Sequence, residues 1–342
     1  MQDNSCSIAQ WCPEDILREV MSYVWEDDAA RCSLVCRGWL HACRAQLYTR
    51  VYFMSRARKA RRLLARTLHT SLHLQEFIRE LSIGPDDDDG SLYSWFPTLA
   101  SLGNLHYLEV YPVDPVEGFQ EIFSSTPPLL SVKHIYLDAG FCRYLTVQRI
   151  LEKFPNADSF ALDLDNQICD VSHPTRVIRR ISIRSSLVDR FFPFMEAYAS
   201  TLTRLDIDTR ASTDEESLTH TLLHMTHLVS LSVIIPSTPA FLDRIVLQLP
   251  HLCELHCMQK SISSTLLWRL LSQIHTLRLL TRSGSFYLAA IEQMIRCSRA
   301  RKTSLRMLVL QGSNQELERI KTACVVTGIQ FDNTWWFHLL RR

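Results

Sequence analysis

Residues 202 to 233 read LTRLDIDTRASTDEESLTHTLLHMTHLVSLSV. The stretch opens on Leu202-Thr203-Arg204-Leu205-Asp206-Ile207 and reaches Leu228-Val229-Ser230-Leu231-Ser232-Val233 26 residues on. Both ends spell L-x-x-L-x-L. Leu205 and Ile207 fall on one face of an extended chain, and Arg204, Asp206 and Asp208 fall on the other. Between the two copies, Ser217 to Met225 has the spacing of an amphipathic helix. Strand, helix and strand in one direction give a parallel sheet backed by helices, an α/β architecture.

The pattern extends both ways from that stretch. Toward the N-terminus it recurs as Ile178-Ile181-Ile183, Ala157-Phe160-Leu162, Val132-Ile135-Leu137, Leu105-Leu108-Val110 and Ile78-Leu81-Ile83. Toward the C-terminus it recurs as Leu252-Leu255-Cys257, Ile274-Leu277-Leu279 and Leu305-Leu308-Leu310. Tyr48-Val51-Phe53 reads as an earlier, weaker copy and Ile329-Phe331 as a final strand. The starts of the ten main copies lie 21 to 31 residues apart, which is a repeat period, and repeats at this spacing mean a solenoid. Ten strands spaced about 4.8 Å apart span roughly 45 Å, the scale of a protein partner.

This region resembles a leucine-rich repeat solenoid. The familiar repeats place an Asn after the strand to tie neighbouring turns together. Here those positions hold Asp86, Val113, Gly140, Asp165, Ser186, Arg210, Pro236, Lys260, Arg282 and Ser313, so an irregular solenoid is expected. Residues on the outward face of the sheet are the candidates for binding a target: Tyr107, Tyr111 and Tyr136 early, and Arg180, Arg184 and Arg204 in the middle. Tyr and Arg are the types enriched where protein partners bind tightly. The three arginines would suit an anionic group if they cluster.

Ahead of the repeats, Trp11 to Leu47 reads as three short helices. Pro13 opens the first, with Glu14 and Asp15 in its first turn, where the helix dipole favours acids. Ile16, Leu17, Val20, Tyr23 and Val24 are its apolar residues and read as one face. Asp27 or Asp28 is placed to cap the second helix. The third carries Cys36, Trp39, Leu40, Cys43 and Leu47 on one face.

The Pro13-Glu14-Asp15-Ile16-Leu17 opening and the Ser33-Leu34-Val35-Cys36-Arg37-Gly38-Trp39 core resemble an F-box. Cys12 and Val24 stand where that family usually has Leu, and both remain apolar. The resemblance implies a three-helix unit that docks a Skp-family adaptor and, through it, a cullin scaffold. It implies Pro13, Ile16, Leu17, Val20, Leu34, Val35 and Trp39 as the adaptor-binding residues. A unit of about 40 residues buries too little surface to be robust alone, so its apolar sides need neighbours.

The expected organisation is a disordered N-terminus at 1–10, the F-box at 11–50, and a linker strand and basic helix at 51–76. The solenoid follows at 77–342. The basic helix, Arg56 to Leu68, reads as a solvated face. With 37 basic and 36 acidic residues the net charge is +1, which argues against a nucleic-acid partner. The Gly84 to Ser91 insertion, with Asp86 to Asp89, lacks the alternating spacing of a calcium loop and reads as a solvated loop. Eleven cysteines show no regular framework, and Met1 to Gln10 lacks a signal pattern. No apolar run is long enough to span a bilayer. An intracellular protein, cytoplasmic or nuclear, with reduced cysteines is expected.

Nothing points to catalysis. His220 and His224 share a helix face, but the H-E-x-x-H arrangement is absent. His251, Cys253, His256 and Cys257 are ligand types, but on a strand they divide between faces. There is no nucleophile elbow, phosphate-binding glycine loop or dinucleotide fingerprint. No metal or cofactor is expected. The function expected is that of a non-catalytic substrate receptor in a Skp–cullin–F-box ubiquitin ligase. The alternative is a repeat scaffold with no link to ubiquitin.

Overall fold

The paired apolar positions of the strands decide the architecture. In the ten strands from Glu80–Ile83 to Met307–Gln311 the two inward residues of each strand, Leu81 and Ile83 through Leu308 and Leu310, are each 2% exposed or less. A computed structural model describes residues 12–53, 63, 66–84, 96–111, 123–138, 146–163, 176–270, 272–280, 288–301, 304–311 and 314–332. Most of the basic segment Arg56 to Leu68, the insertion beyond Gly84 and residues 1–10 lie outside them.

The chain begins with α1 (Glu14–Ser22), α2 (Glu26–Cys32) and α3 (Arg37–Thr49). The strands follow as β1 (Arg50–Phe53), β2 (Glu80–Ile83), β3 (Tyr107–Val110) and β4 (His134–Leu137). Then come β5 (Ser159–Asp163), β6 (Arg180–Arg184), β7 (Arg204–Asp208), β8 (Ser230–Ile234), β9 (Glu254–Met258), β10 (Thr276–Leu280), β11 (Met307–Gln311) and β12 (Gln330–Asp332). The chain divides into two compact units, 1–145 with 149–157 and 146–148 with 158–342. In the first, β1 to β4 pair in parallel and in chain order. In the second, β5 to β12 do the same. Helices return the chain between strands, so the α/β arrangement expected from the spacing is the one observed. The segment Arg50–Phe53, read from sequence as a linker strand, pairs with β2, Val51 against Leu81.

The register stacks like positions. Leu205 pairs with Ile181 on one side and Leu231 on the other, and Ile207 with Ile183 and Val233. Within each unit, each repeat therefore adds an apolar row to a shared core, at about 1.5–3 kcal/mol per fully buried Leu or Ile.

The ties between repeats come from a different place than an Asn after the strand. Six side chains that immediately precede the first apolar residue of a repeat donate to a carbonyl of the previous repeat. Asn104 Nδ2 reaches Glu76 O at 2.7 Å, Ser131 Oγ reaches Leu102 O at 2.9 Å and Asn156 Nδ2 reaches Leu130 O at 2.8 Å. In the second unit, Thr201 Oγ1 reaches Ile178 O at 2.9 Å, Gln273 Nε2 reaches Leu249 O at 2.7 Å and Ser304 Oγ reaches Ser272 O at 2.9 Å. A buried or half-buried turn must satisfy its carbonyls, and a short polar side chain one repeat on does so.

The return between β7 and β8 shows how the helices are specified. Asp214 caps the helix Glu215–Leu223, accepting from the Glu216 and Ser217 amides at 3.1 and 3.4 Å. Leu218, Thr221 and Leu222 turn inward. The helix Asn314–Thr327 ends on Gly328 at φ 75°, a left-handed position that glycine adopts without strain, and the Ile329 amide returns to Cys324 O at 3.0 Å. Ala240 takes a similar left-handed φ of 60° without that freedom. Its amide donates to Lys260 O at 2.9 Å and the Leu242 amide to Ser261 O at 2.8 Å, which hold the turn against the strain.

Ala240→Gly is therefore expected to raise stability by about 0.5–1 kcal/mol. Urea unfolding of the two proteins would check it, and an unchanged or lower midpoint would contradict the strain argument.

Candidate functional site

α1 carries two apolar stripes. Leu17, Met21 and Val24 recur at i, i+4 and i+7 and turn inward. Leu17 and Met21 form a small core with Ala42 and Cys43 of α3, and Cys12, Val24, Cys32 and Trp39 pack against it. Cys43 Sγ lies 3.7 Å from Met21 Sδ. The second stripe, Ile16, Val20 and Tyr23, has the same spacing and stays outside, at 50%, 49% and 80% exposed. The single helix face read from the sequence is thus two neighbouring faces, one used by the unit itself.

The turn between α2 and α3 adds two more uncovered apolar groups. Leu34 is 86% and Val35 63% exposed. They are held by local backbone bonds, Leu34 N to Arg31 O at 3.0 Å and Val35 N to Cys32 O at 3.1 Å. No side-chain cap opens α2, which starts at Glu26 after Trp25, and Asp28 pairs with Arg31 at 3.3 Å instead. Of the residues expected to bind an adaptor, Pro13, Ile16, Val20, Leu34 and Val35 are exposed, and Trp39 is half-buried against the core. Leu17 is the exception: it is 5% exposed and shapes the surface from beneath. Tyr23, read from the sequence as part of the apolar helix face but not among the adaptor-binding residues, and Trp25, which was not singled out, are also exposed, at 80% and 77%.

α3 ends at Thr49 and β1 begins at Arg50. The Arg79 amide bonds Thr49 O at 3.0 Å, and the His41 ring meets Phe77 edge-on with centroids 4.9 Å apart. Glu14 gathers Arg18 at 2.6 Å and His41 at 3.2 Å, tying α1 to α3.

The outward face of the first unit's sheet holds the expected tyrosines. Tyr107, Tyr111 and Tyr136 are all half-buried, and the rings of Tyr111 and Tyr136 lie 5.3 Å apart. Burial, together with the Glu109 carboxylate that accepts its hydrogen bond, pushes the Tyr111 phenol up from its ordinary value.

The outward face of the second unit brings the three expected arginines into one network, but each already has a carboxylate. Arg180 meets Asp206 at 3.3 Å, Arg184 meets Asp208 at 3.6 Å and Arg204 meets Glu254 at 3.4 Å. The anionic groups that the arginines were expected to suit are thus supplied by the chain itself. Burial pushes the Asp206 carboxyl up, against the pull of Arg180, Arg204 and Arg278. Beside them Ser232 Oγ lies 2.9 Å from His256 Nδ1. Burial, with Arg278 nearby, lowers the His256 pKa to about 3.

The other histidines pack rather than converge. His220 and His224 meet edge-on at 4.4 Å, and His227 and His251 stack at 6.2 Å with planes 3° apart. Among the described residues no three or more His, Cys, Asp or Glu side chains are grouped to hold a metal. None of the described cysteines forms a disulfide. No described helix is long and apolar enough to cross a membrane.

Compared with known proteins, residues 13–54 match the F-box-like family. The match spans all three helices and the first strand. No curated protein gives a significant match to the chain. The chain therefore carries an F-box-like domain, of a kind that generally binds Skp-family adaptors, followed by parallel sheet backed by helices.

Two outcomes follow from this geometry. Leu34→Asp is expected to change stability by no more than about 0.5 kcal/mol, while Leu17→Ala costs roughly 2–4 kcal/mol. Thermal melts of both variants would separate a presented side chain from a core one. His256 is neutral in the fold, so the unfolded chain binds the extra proton below pH 6.5. The stability of wild type should fall as pH drops from about 6.5 toward 3, and His256→Gln should flatten part of that fall. Urea midpoints at pH 7, 5 and 4 would show it.

Proposed function

We propose that this chain is the target-recognition subunit of a Skp–cullin–F-box ubiquitin ligase. The F-box-like domain would dock a Skp-family adaptor, and a leucine-rich-repeat-like solenoid would hold the target protein. The observation that carries this reading is the second apolar stripe of α1 together with Leu34 and Val35. A three-helix unit that already fills its own core exposes Ile16, Val20 and Tyr23 to water, at a cost in solubility that a bound partner removes. Ile16, Leu34 and Val35 fall within the two stretches on which the F-box resemblance rests. The L-x-x-L-x-L rows and their parallel register support the solenoid reading.

Such a subunit performs no bond chemistry. It raises the effective concentration of target lysines near a charged ubiquitin carrier, and orientation is part of that gain. Its partners would be the adaptor, a cullin through the adaptor, and a target protein, in the cytoplasm or nucleus.

Co-expression with a Skp-family adaptor tests the reading. Wild type is expected to co-purify with the adaptor, and a Leu34→Asp/Val35→Asp double variant is expected to bind at least tenfold more weakly while remaining folded. Failure of the wild type to retain the adaptor would favour a repeat scaffold unconnected with ubiquitin.

A further inference from the structure

The two outward faces differ in how their charges are settled. In the second unit, Arg180, Arg184, Arg204 and Arg278 share the described face with Asp163, Asp206, Asp208, Glu254 and Asp332, and ion pairs join three of the arginines to Asp206, Asp208 and Glu254. Among the described residues of the first unit, the strand face and its edge carry Glu80, Glu109, Asp138 and the Arg50 guanidinium. That guanidinium is committed to Glu80 at 3.0 Å.

Glu109 is the unusual group. It stands in β3, half-buried, in the cross-strand row Tyr52, Ser82, Glu109, Tyr136. One carboxylate oxygen accepts from the Ser82 hydroxyl at 2.5 Å, and the other accepts from the Tyr111 hydroxyl. Both donors are neutral, so its negative charge is held in place and not cancelled. Among the described residues no cation forms an ion pair with it. Tyrosines neighbour it: Tyr111 bonds it, Tyr136 is its cross-strand partner and its ring lies 5.3 Å from that of Tyr111 with the planes at 43°, and Tyr107 stands two residues back on the same strand face.

A fixed carboxylate between tyrosine rings suits one side chain above others. A guanidinium is planar and always charged, binds carboxylates through its fork of N–H groups and stacks on aromatic faces. Tyrosine faces attract a cation further. We propose that Glu109 and its surrounding tyrosines form a seat for an arginine side chain from a basic segment of the protein that this face binds. The proposal rests on the receptor reading for the source of that segment. The chemistry of the seat does not depend on it.

The test uses the full chain and a fluorescein-labelled peptide GSRRSRRSG, with GSEESEESG as its control, followed by anisotropy at low and moderate salt. The arginine peptide is expected to bind saturably, and the glutamate peptide is not. Glu109→Gln keeps both hydroxyl contacts possible and is expected to weaken binding about tenfold, with an unchanged melting temperature. Tyr136→Ala should weaken binding too, and it carries the test if Glu109→Gln perturbs folding. Asp208→Asn in the second unit should leave binding unchanged. Equal binding by wild type and both first-unit variants, or equal loss in Asp208→Asn, would overturn the seat, as would the absence of saturable binding. Adaptor capture is scored on the same preparations. Capture retained without peptide binding sinks the seat alone, and peptide binding without capture sinks the receptor reading alone.

Discussion

No single repeat of this chain can bury its own inward row. Leu205 and Ile207 are covered only because Ile181 and Ile183 stand on one side, Leu231 and Val233 on the other, and helical returns close the back. Stability is then a property of neighbours. Each added strand contributes its own backbone pairing and also completes the shielding of the strand before it. The requirement is strict at the inward positions and lenient elsewhere. Turns of different length are tolerated, and at six of them a polar side chain, from Asn104 to Ser304, stitches the return to a carbonyl of the previous repeat. This is why the repeat period wanders while the registers stay aligned.

The same division governs what is left for binding. Because the inward rows use almost all the leucine and isoleucine of the strands, the outward faces are free to vary in charge. The second unit settles its charges internally, through arginine–carboxylate pairs. The first sets tyrosines beside the Glu109 carboxylate, which is held by two neutral hydroxyls. In the three-helix domain the division falls within a single helix: Leu17 and Met21 serve the core, and Ile16, Val20 and Tyr23 are presented.

The sheet was legible in the sequence because period-two burial is written in residue type, and ten copies repeat it. The edges of the sheet were legible too, since Val51 and Phe53 keep the alternation in a shorter form. The stitches were not. They were sought as an Asn after each strand, but the donors precede the repeat and are Asn, Ser, Thr or Gln, a mixture with no motif. The pairing of Arg180 with Asp206 was hidden for a different reason: it joins adjacent strands, and only the register between β6 and β7 brings the two together. The neutral state of His256 likewise depends on how deeply its neighbours bury it. The F-box-like domain was legible from its motif, but the motif does not say that Leu17 points inward, because adjacent helical residues such as Ile16 and Leu17 diverge by about 100°.

The join between Thr49 and Arg50 has a mechanical meaning. The last helix of the F-box-like domain passes into the first strand with no intervening residue, and backbone and ring contacts brace the corner. A flexible tether would let a captured protein sample many orientations and would make its lysines interchangeable by averaging. A braced corner acts as a bracket: it fixes the direction in which the first strands face relative to the three helices. In a receptor of the proposed kind, choice among lysines would then be set by where they lie on the target's surface. Two targets of equal affinity would be modified unequally for reasons of aim alone.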